Sequence, residues 1–367
     1  MTRNKTRTAR LIGLVLAIGM VVSLQGPAFA DERRPLRFMT RNLYLGASLT
    51  PIFASTTQEE LIARASAAWA QVQASNFPAR AERLADEIQA EMPDLIGLQE
   101  ATLYRMSQGP GLPAEDVVLD FLAELQGELA ERGLSYSAVA QVAAFDGQLP
   151  VMIGPSFPAD LRNVRATDRD VILARTDLPA SSMKVSNPRS GLYDTKLEIP
   201  LLGGAAGVLP IVRGWTAVDV KTRGKEFVFL NTHLEAFDAP VQQGQSLELL
   251  AGPASTSKPI VMAGDFNSPA DGSGTTSYAN ITGAGFSDVW SDVFPADPGY
   301  TCCHSDDLTS AAGDLTSRID ILFFRGGDMD ATEAEIVGEE EADKTPAGLW
   351  PSDHAGVLGT ISLGPNS

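Results

Sequence analysis

Residues Val261–Pro269 read VMAGDFNSP. An apolar run that opens at Pro259 stops at Asp265, and Asn267, Ser268 and Pro269 then close it. All four of these polar or rigid residue types favour turns, so alone the stretch is a strand and a turn. Five other runs carry polar groups at the same kind of edge. LRFMTRN ends at Asn42, DLIGLQE at Glu100 and EFVFLNTH at His233, while RIDILFF carries Asp320 near its start and WPSDHAGV opens on Asp353 and His354. Six such edges, holding two of the three histidines, predict a site gathered at one end of a layered sheet.

The residue types define the chemistry. Carboxylate and amide oxygens suit a hard cation such as Mg²⁺ or Mn²⁺, which keeps several waters and accepts a phosphate oxygen. Such an ion neutralises charge on a phosphoryl group. Asp265 and Asn267 are two apart, so on extended backbone they share a direction. A histidine on each side can protonate a leaving oxygen, and an acidic neighbour would orient each ring and keep it cationic.

Composition agrees with a need for a metal. The 367 residues carry 28 basic and 46 acidic side chains, a net charge of −18. Four of the basic residues lie in the first ten, MTRNKTRTAR, ahead of the apolar LIGLVLAIGMVVSL and of Ala28-Phe29-Ala30. This is the pattern of a secretory signal peptide (residues 1–30) cleaved before Asp31, which makes the protein extracellular and leaves one domain, 31–367. The mature chain would carry −22, a field that repels nucleic acid, anionic lipid and phosphate unless a metal or a local basic cluster intervenes. The two cysteines, Cys302 and Cys303, are adjacent, which excludes a disulfide framework and predicts a redox-labile vicinal bridge in a surface loop. A metal site through Cys302, Cys303 and His304 is the alternative, but no second Cys/His pair completes it.

Helices are expected over TTQEELIARASAAWAQVQ, with Thr57 and Glu60 as capping box, over ARAERLADEIQAEM, over EDVVLDFLAELQGELAERG up to Gly133, and around Pro240–Leu250. The rest reads as short strands and turns, a mixed α/β pattern. GLYDTKLEIPLLGGAAGVLPIVRG reads as a hairpin with an apolar tip, either packed on its own protein or facing substrate or membrane. The acidic stretch from Gly326 to Lys344 reads as a solvated connector.

The blocks RNLYLG, DLIGLQEA, NTHLEA, GDFNSP, SRIDILFF and PSDHAGV resemble, in order, those of the endonuclease/exonuclease/phosphatase superfamily. That superfamily includes DNase I, abasic-site endonucleases, bacterial sphingomyelinases and inositol polyphosphate phosphatases. The resemblance implies a DNase I-like four-layer α/β/β/α sandwich with the site at one edge of its two sheets. It implies metal binding by Glu100 with Asn42 beside it and Asp353 further on. It implies that Asp265 activates water, that Asn267 contacts phosphate or metal, and that His354 is catalytic with Asp320 as its acid partner. His233 resembles the second histidine of the DNase I and sphingomyelinase branches, and Asp170 of TDRDVILAR, with Asp168 as rival, the acid that supports it.

Two departures stand out: no Arg or Lys lies between Glu100 and Arg105, and LYLGASLTP replaces the short turn of the nucleases. The reading is a secreted Mg²⁺- or Mn²⁺-dependent phosphoesterase that hydrolyses phosphodiesters, with extracellular nucleic acid first among substrates. A sphingomyelinase-type lipid phosphodiesterase comes next, then a phosphomonoesterase, and last an inactive binding protein. Transient membrane contact is compatible with this, and no stable protein partner is implied.

Overall fold

The structure, a computed structural model, describes residues 35–364, so the expected signal peptide lies outside the described residues. The chain opens with β1 (Leu36–Asn42), α1 (Thr50–Phe53), α2 (Gln58–Ala74), α3 (Phe77–Glu91), β2 (Leu95–Gln99), β3 (Leu103–Met106), β4 (Asp116–Asp120) and α4 (Phe121–Glu131). It continues through β5 (Tyr136–Met152), β6 (Leu161–Arg175), β7 (Lys184–Leu192), β8 (Leu197–Pro200), β9 (Val208–Ile211), β10 (Gly214–Thr222) and β11 (Lys225–His233). It ends with α5 (Ala239–Ala251), β12 (Ile260–Asp265), α6 (Ser277–Gly283), β13 (Ser287–Asp288), α7 (Val289–Val293), β14 (Asp320–Arg325), β15 (Met329–Val337) and β16 (Gly356–Leu363). Among the described residues no helix is long and apolar enough to cross a membrane.

Two large sheets result. One runs β15-β16-β1-β2-β6-β3-β4 with β5 also paired to β6, and the other runs β13-β14-β12-β11-β10-β7. Among the described residues only β1–β2 and β11–β12 are parallel pairs, and each needs a crossover, supplied by α1–α3 and by α5. Alternation along the strands sorts apolar side chains into three layers. Phe38, Leu95, Phe227, Phe229, Val261 and Leu322 meet between the sheets. Met39, Ile96 and Leu98 face α2, α3 and α4, and Val228, Leu230, Met262 and Phe323 face α5 and α6. This is the mixed α/β fold of two main sheets that the sequence predicted.

The sheets touch closely at Gly97. A Cβ there would lie 2.5 Å from Asn231 Oδ1 and 2.9 Å from Ala263 Cβ. Buried Asn231 uses this space: its amide donates to the carbonyls of Leu98 and Val171 on the opposite sheet, at 2.9 and 3.2 Å.

Local signals account for most helix ends. Thr57 caps α2 by accepting from the Glu60 amide, while Glu60 itself turns back to Thr56. Helix α2 stops at Ala74, and Phe77 and Pro78 then form the first turn of α3, where a proline's missing N–H costs nothing. The third helix is shorter than expected. Asp116–Asp120 is strand β4 paired with β3, and Asp120 caps α4 by accepting from Leu122 and Ala123. Val117 and Val118 suit a strand, and the Asp120 cap resets the start. The expected short strands after Gly133 are a long hairpin, β5–β6, whose two bulges break the alternation that would have revealed it. The acidic stretch expected to be a connector contains β15, an edge strand whose charged residues face solvent. In the 186–213 segment β7 joins the second sheet, and β8–β9 form a separate hairpin. Its tip packs back: Leu201 is buried and Leu202 rests on the helix-side core.

Candidate active site

Strand register builds the centre. Asn42 ends β1, Glu100 follows directly on Gln99, the β2 residue in register with Asn42, and His233 and Asp265 end β11 and β12. All four lie at carboxyl ends of parallel strands. His233 is in register with Asp265, and Asp265 with Asp320 at the start of antiparallel β14, so three polar residues sit in one row. Residues directly in register on neighbouring strands point to the same face.

Asp265 is the hub. Its Oδ1 accepts from the Asn267 amide at 2.9 Å, and its Oδ2 accepts from Asn42 Nδ2 at 3.1 Å. The same oxygen is 3.5 Å from His233 Nε2 and 3.9 Å from His354 Nδ1. Burial, then Asp320, pushes its carboxyl up to about 7. Asn267 is not on extended backbone as the spacing suggested. Its φ is +49°, and its side chain donates to the Leu234 carbonyl at 3.0 Å and lies 3.2 Å from His233 Nε2. Glu100 also has positive φ, +56°. Two non-glycine residues held this way mark a spot where tertiary contacts override local preference. Glu100 Oε2 is fixed by the Leu45 amide at 2.6 Å, and burial, then Asp168, raises its carboxyl.

The two histidines differ in state. His354 Nδ1 lies 2.8 Å from Asp320 Oδ2. Burial opposes charging of this ring, but Asp320, Asp353 and Asp265 together outweigh it and hold the imidazole well above its usual value. Its Nε2 is 3.9 Å from both Asp353 Oδ1 and Cys302 Sγ. His233 has no acidic partner on Nδ1, contrary to expectation. Arg213 Nη1 is 3.0 Å from it. An arginine only donates, so Nδ1 is the bare nitrogen and the ring proton sits on Nε2, facing Asp265. Burial and Arg213 push His233 well below its usual value, so it is neutral.

Asp170, expected to support His233, is fully buried, and neither carboxylate oxygen has a hydrogen-bond partner. Burial, then Asp168, raises it well above the carboxylate range. Asp168 instead faces Arg213 at 3.7 Å, and Glu235 approaches the same guanidinium at 3.7 Å. The sequence reading missed Arg213 and Glu235. A signal existed: Gly214 is in register with His233, so pairing β10 with β11 carries the preceding arginine to the ring.

The cysteines are also misplaced by the sequence reading. The sulfurs of Cys302 and Cys303 are bonded, but Cys302 is buried and bridges Ser317 and His354, so the pair borders the site. His304 lies in a loop yet is buried, stacked on Trp350 at 4.0 Å, with Nδ1 3.1 Å from Ser310 Oγ. The His beside the two sulfurs is His354, not His304.

These residues fit a hard divalent cation. Asp265, Asp320 and His354 offer ligand atoms within 4.8 Å of one another, and Asp320 Oδ1 is buried without a partner. Burial, with Glu100 adding to it against the pull of His354, pushes Asp353 up to about 7. Crowded buried carboxylates of this kind are relieved by a cation, and their oxygens match Mg²⁺ or Mn²⁺.

The model of the endonuclease/exonuclease/phosphatase family matches residues 68–354, more than half of the chain. The chain belongs to this family. It is therefore a metal-dependent phosphoric ester hydrolase. Comparison with curated protein sequences gives no significant match. Solved structures share the fold. A family protein from Bacteroides thetaiotaomicron aligns over 91% of this chain and 99% of its own, at 16% identity and a TM-score of 0.55. The mannosyl-6-phosphatase of the same organism aligns over 89% and 99%, at 17% identity and 0.52. A humanised Danio rerio TDP2 aligns over 89% and 98%, at 18% identity and 0.50.

Proposed function

We propose that this family member is exported, is processed before Asp31, and hydrolyses phosphodiesters with Mg²⁺ or Mn²⁺ held by Asn42, Glu100 and Asp353. The observation that carries the chemistry is the row His233–Asp265–Asp320 with His354 docked on its end. When bound, the metal neutralises phosphoryl oxygens. Asp265, whose carboxyl is raised to about 7, takes the proton of an attacking water. The water oxygen bonds to phosphorus as the opposite P–O bond breaks. The leaving oxygen keeps that bond's electron pair and takes a proton from His354 Nε2, which is free of Asp320. Neutral His233 and Asn267 hold Asp265 and a phosphoryl oxygen in line. Asp168 and Glu235 hold Arg213, which fixes the tautomer of His233, and Asp170 is the buried acid near them.

Bis(p-nitrophenyl) phosphate tests this. The chain from Asp31 should turn it over with Mg²⁺, stop in EDTA, and lose about 10²–10⁴-fold in kcat on His354→Ala. Undiminished turnover by that variant, or action on monoesters alone, would sink the reading. Export is tested by sequencing the secreted N-terminus.

Nucleic acid remains the substrate class suggested by the two-histidine pattern, and nicking of supercoiled plasmid tests it. Charge counts against it. Arg165 and Arg169 on β6 are paired with Asp146 and Asp120, so these cations are already neutralised.

A further inference from the structure

Two sulfurs border the candidate centre, and the phosphoester chemistry does not use them. Cys302 Sγ lies 3.9 Å from His354 Nε2, and ligand atoms of Cys302, Cys303 and His354 all fall within 4.8 Å of one another. Backbone hydrogen bonds set this proximity. On one side the Thr301 and Cys302 amides donate to the Ser317 carbonyl at 2.8 and 2.9 Å. On the other the Ala355 amide donates to the Thr301 carbonyl at 2.7 Å, and the His304 amide to the Asp353 carbonyl at 2.8 Å. The 301–304 segment is thus clamped to the segment that carries Asp353 and His354, and the sulfurs stay beside the imidazole.

These donors differ from the carboxylates around them. Thiolate sulfur and imidazole nitrogen suit a softer cation such as Zn²⁺, whereas Mg²⁺ takes oxygen. Ordinary Zn–S and Zn–N bonds at a tetrahedral angle put sulfur and nitrogen about 3.6 Å apart. The 3.9 Å between Cys302 Sγ and Nε2 is close to that. His354 also has the outer partner that zinc-binding histidines carry. Its Nδ1 lies 2.8 Å from Asp320 Oδ2, which leaves Nε2 to face a metal. Asp353 Oδ1, 3.9 Å from Nε2, is within reach as a fourth ligand.

The bond between the sulfurs decides whether this site exists. In the disulfide neither sulfur has the thiolate charge that a metal ligand needs. Cys302 is buried but Cys303 is exposed, so a reductant reaches the second sulfur. We propose that reduction of the Cys302–Cys303 bond opens a site for one Zn²⁺ on the two thiolates and His354 Nε2, and that filling it silences the hydrolase. Two small thiols supply two electrons and two protons, become one disulfide, and leave Cys302 and Cys303 as thiols. Zinc then displaces the proton of each thiol and that of Nε2, while Nδ1 keeps its own toward Asp320. The nitrogen that would protonate the leaving oxygen is now bound to metal. The loss of activity rests on the proposed role of His354 as proton donor, but the binding does not.

The test uses the chain from Asp31, reduced without air by a trialkylphosphine, which leaves as its oxide with the oxygen of a water, and then desalted. Co²⁺ serves as the spectroscopic stand-in for zinc. The reduced chain should take up one Co²⁺ with sulfur-to-cobalt charge-transfer absorption, which carboxylates do not give, and Zn²⁺ should bleach it. The disulfide form should show no such band. Cys303→Ser, at an exposed position that tolerates the change, and His354→Ala should each weaken cobalt binding by more than the roughly tenfold that loss of an outer partner costs. Turnover of bis(p-nitrophenyl) phosphate is then read in excess Mg²⁺, each protein against its own zinc-free rate. Equimolar Zn²⁺ should bring the reduced parent down to the residual level of His354→Ala and leave the disulfide form and Cys303→Ser at their own rates. A reduced chain without the sulfur band, or equal binding by Cys303→Ser, overturns the site. Sulfur-bound zinc with undiminished turnover, or equal inhibition of the disulfide form, overturns the silencing. Failure of the phosphodiesterase reading shows separately, as no turnover in any state alongside a normal cobalt band, and the site then stands.

Discussion

At the scale of single residues, the two histidines show how one ring type takes two states within one site. His354 meets a carboxylate and is held cationic, and His233 meets a guanidinium and is held neutral. The partner decides, because burial disfavours charge on both. Asp320 acts through His354 and is a positioning residue. Asp320→Asn keeps the volume but lets the ring lose its orientation and its charge. We expect kcat to fall about 10²–10⁴-fold with little change in KM, and the melting curve to stay close to the parent. A fall confined to KM would assign Asp320 to substrate binding instead.

At the scale of elements, the contact of the two sheets is set by one side chain that is missing. Gly97 leaves room for Asn231, whose amide ties β11 to β2 and β6. Gly97→Ala puts a methyl on that amide. It should cost about 1–3 kcal/mol, read as a lower urea midpoint at unchanged slope. What the sequence made legible follows the same logic. Strand ends carrying Asn42, Glu100, His233, Asp265 and Asp320 could be read because each polar residue interrupts a long apolar run. Helix α2 could be read from its cap and its buried stripe of Leu61, Ala65, Trp69 and Val72. Strand β4 could not, because Val117 and Val118 run straight into a helical pattern and only the pairing with β3 separates them. Arg213 did not stand out, because only the register of the β10–β11 hairpin brings it to the His233 ring, and no apolar run marks it. The positive φ of Glu100 and Asn267 was equally hidden, since neither residue type demands it.

At the scale of the whole molecule, acid tolerance depends on loops as well as on the sheets. His304 lies between the 302–310 segment and Trp350, and burial pushes its imidazole down to about 4. The unfolded chain therefore takes up the proton first. The stability this group contributes is complete above about 6.5 and is lost as pH falls from there to about 4. The slope is about 1.4 kcal/mol per pH unit and the total about 3 kcal/mol. His304→Phe, which keeps the stack on Trp350, should remove that slope. Denaturant titrations of both proteins at pH 7.5, 5.5 and 4.5 give the difference. A constant gap between them would mean that His304 does not titrate with folding.

The pairing of β1 with β16 sets Leu36 against Ile361, so the first strand waits for the last. Asp353 and His354 stand just ahead of β16, while Asn42 ends β1. Timing follows from this geometry. A chain still emerging from the ribosome has Glu100, Asp265 and Asp320 in hand but lacks His354 until the segment ahead of β16 is made. The proton donor is thus the last piece of the site to arrive, and it comes with the strand that pairs with β1.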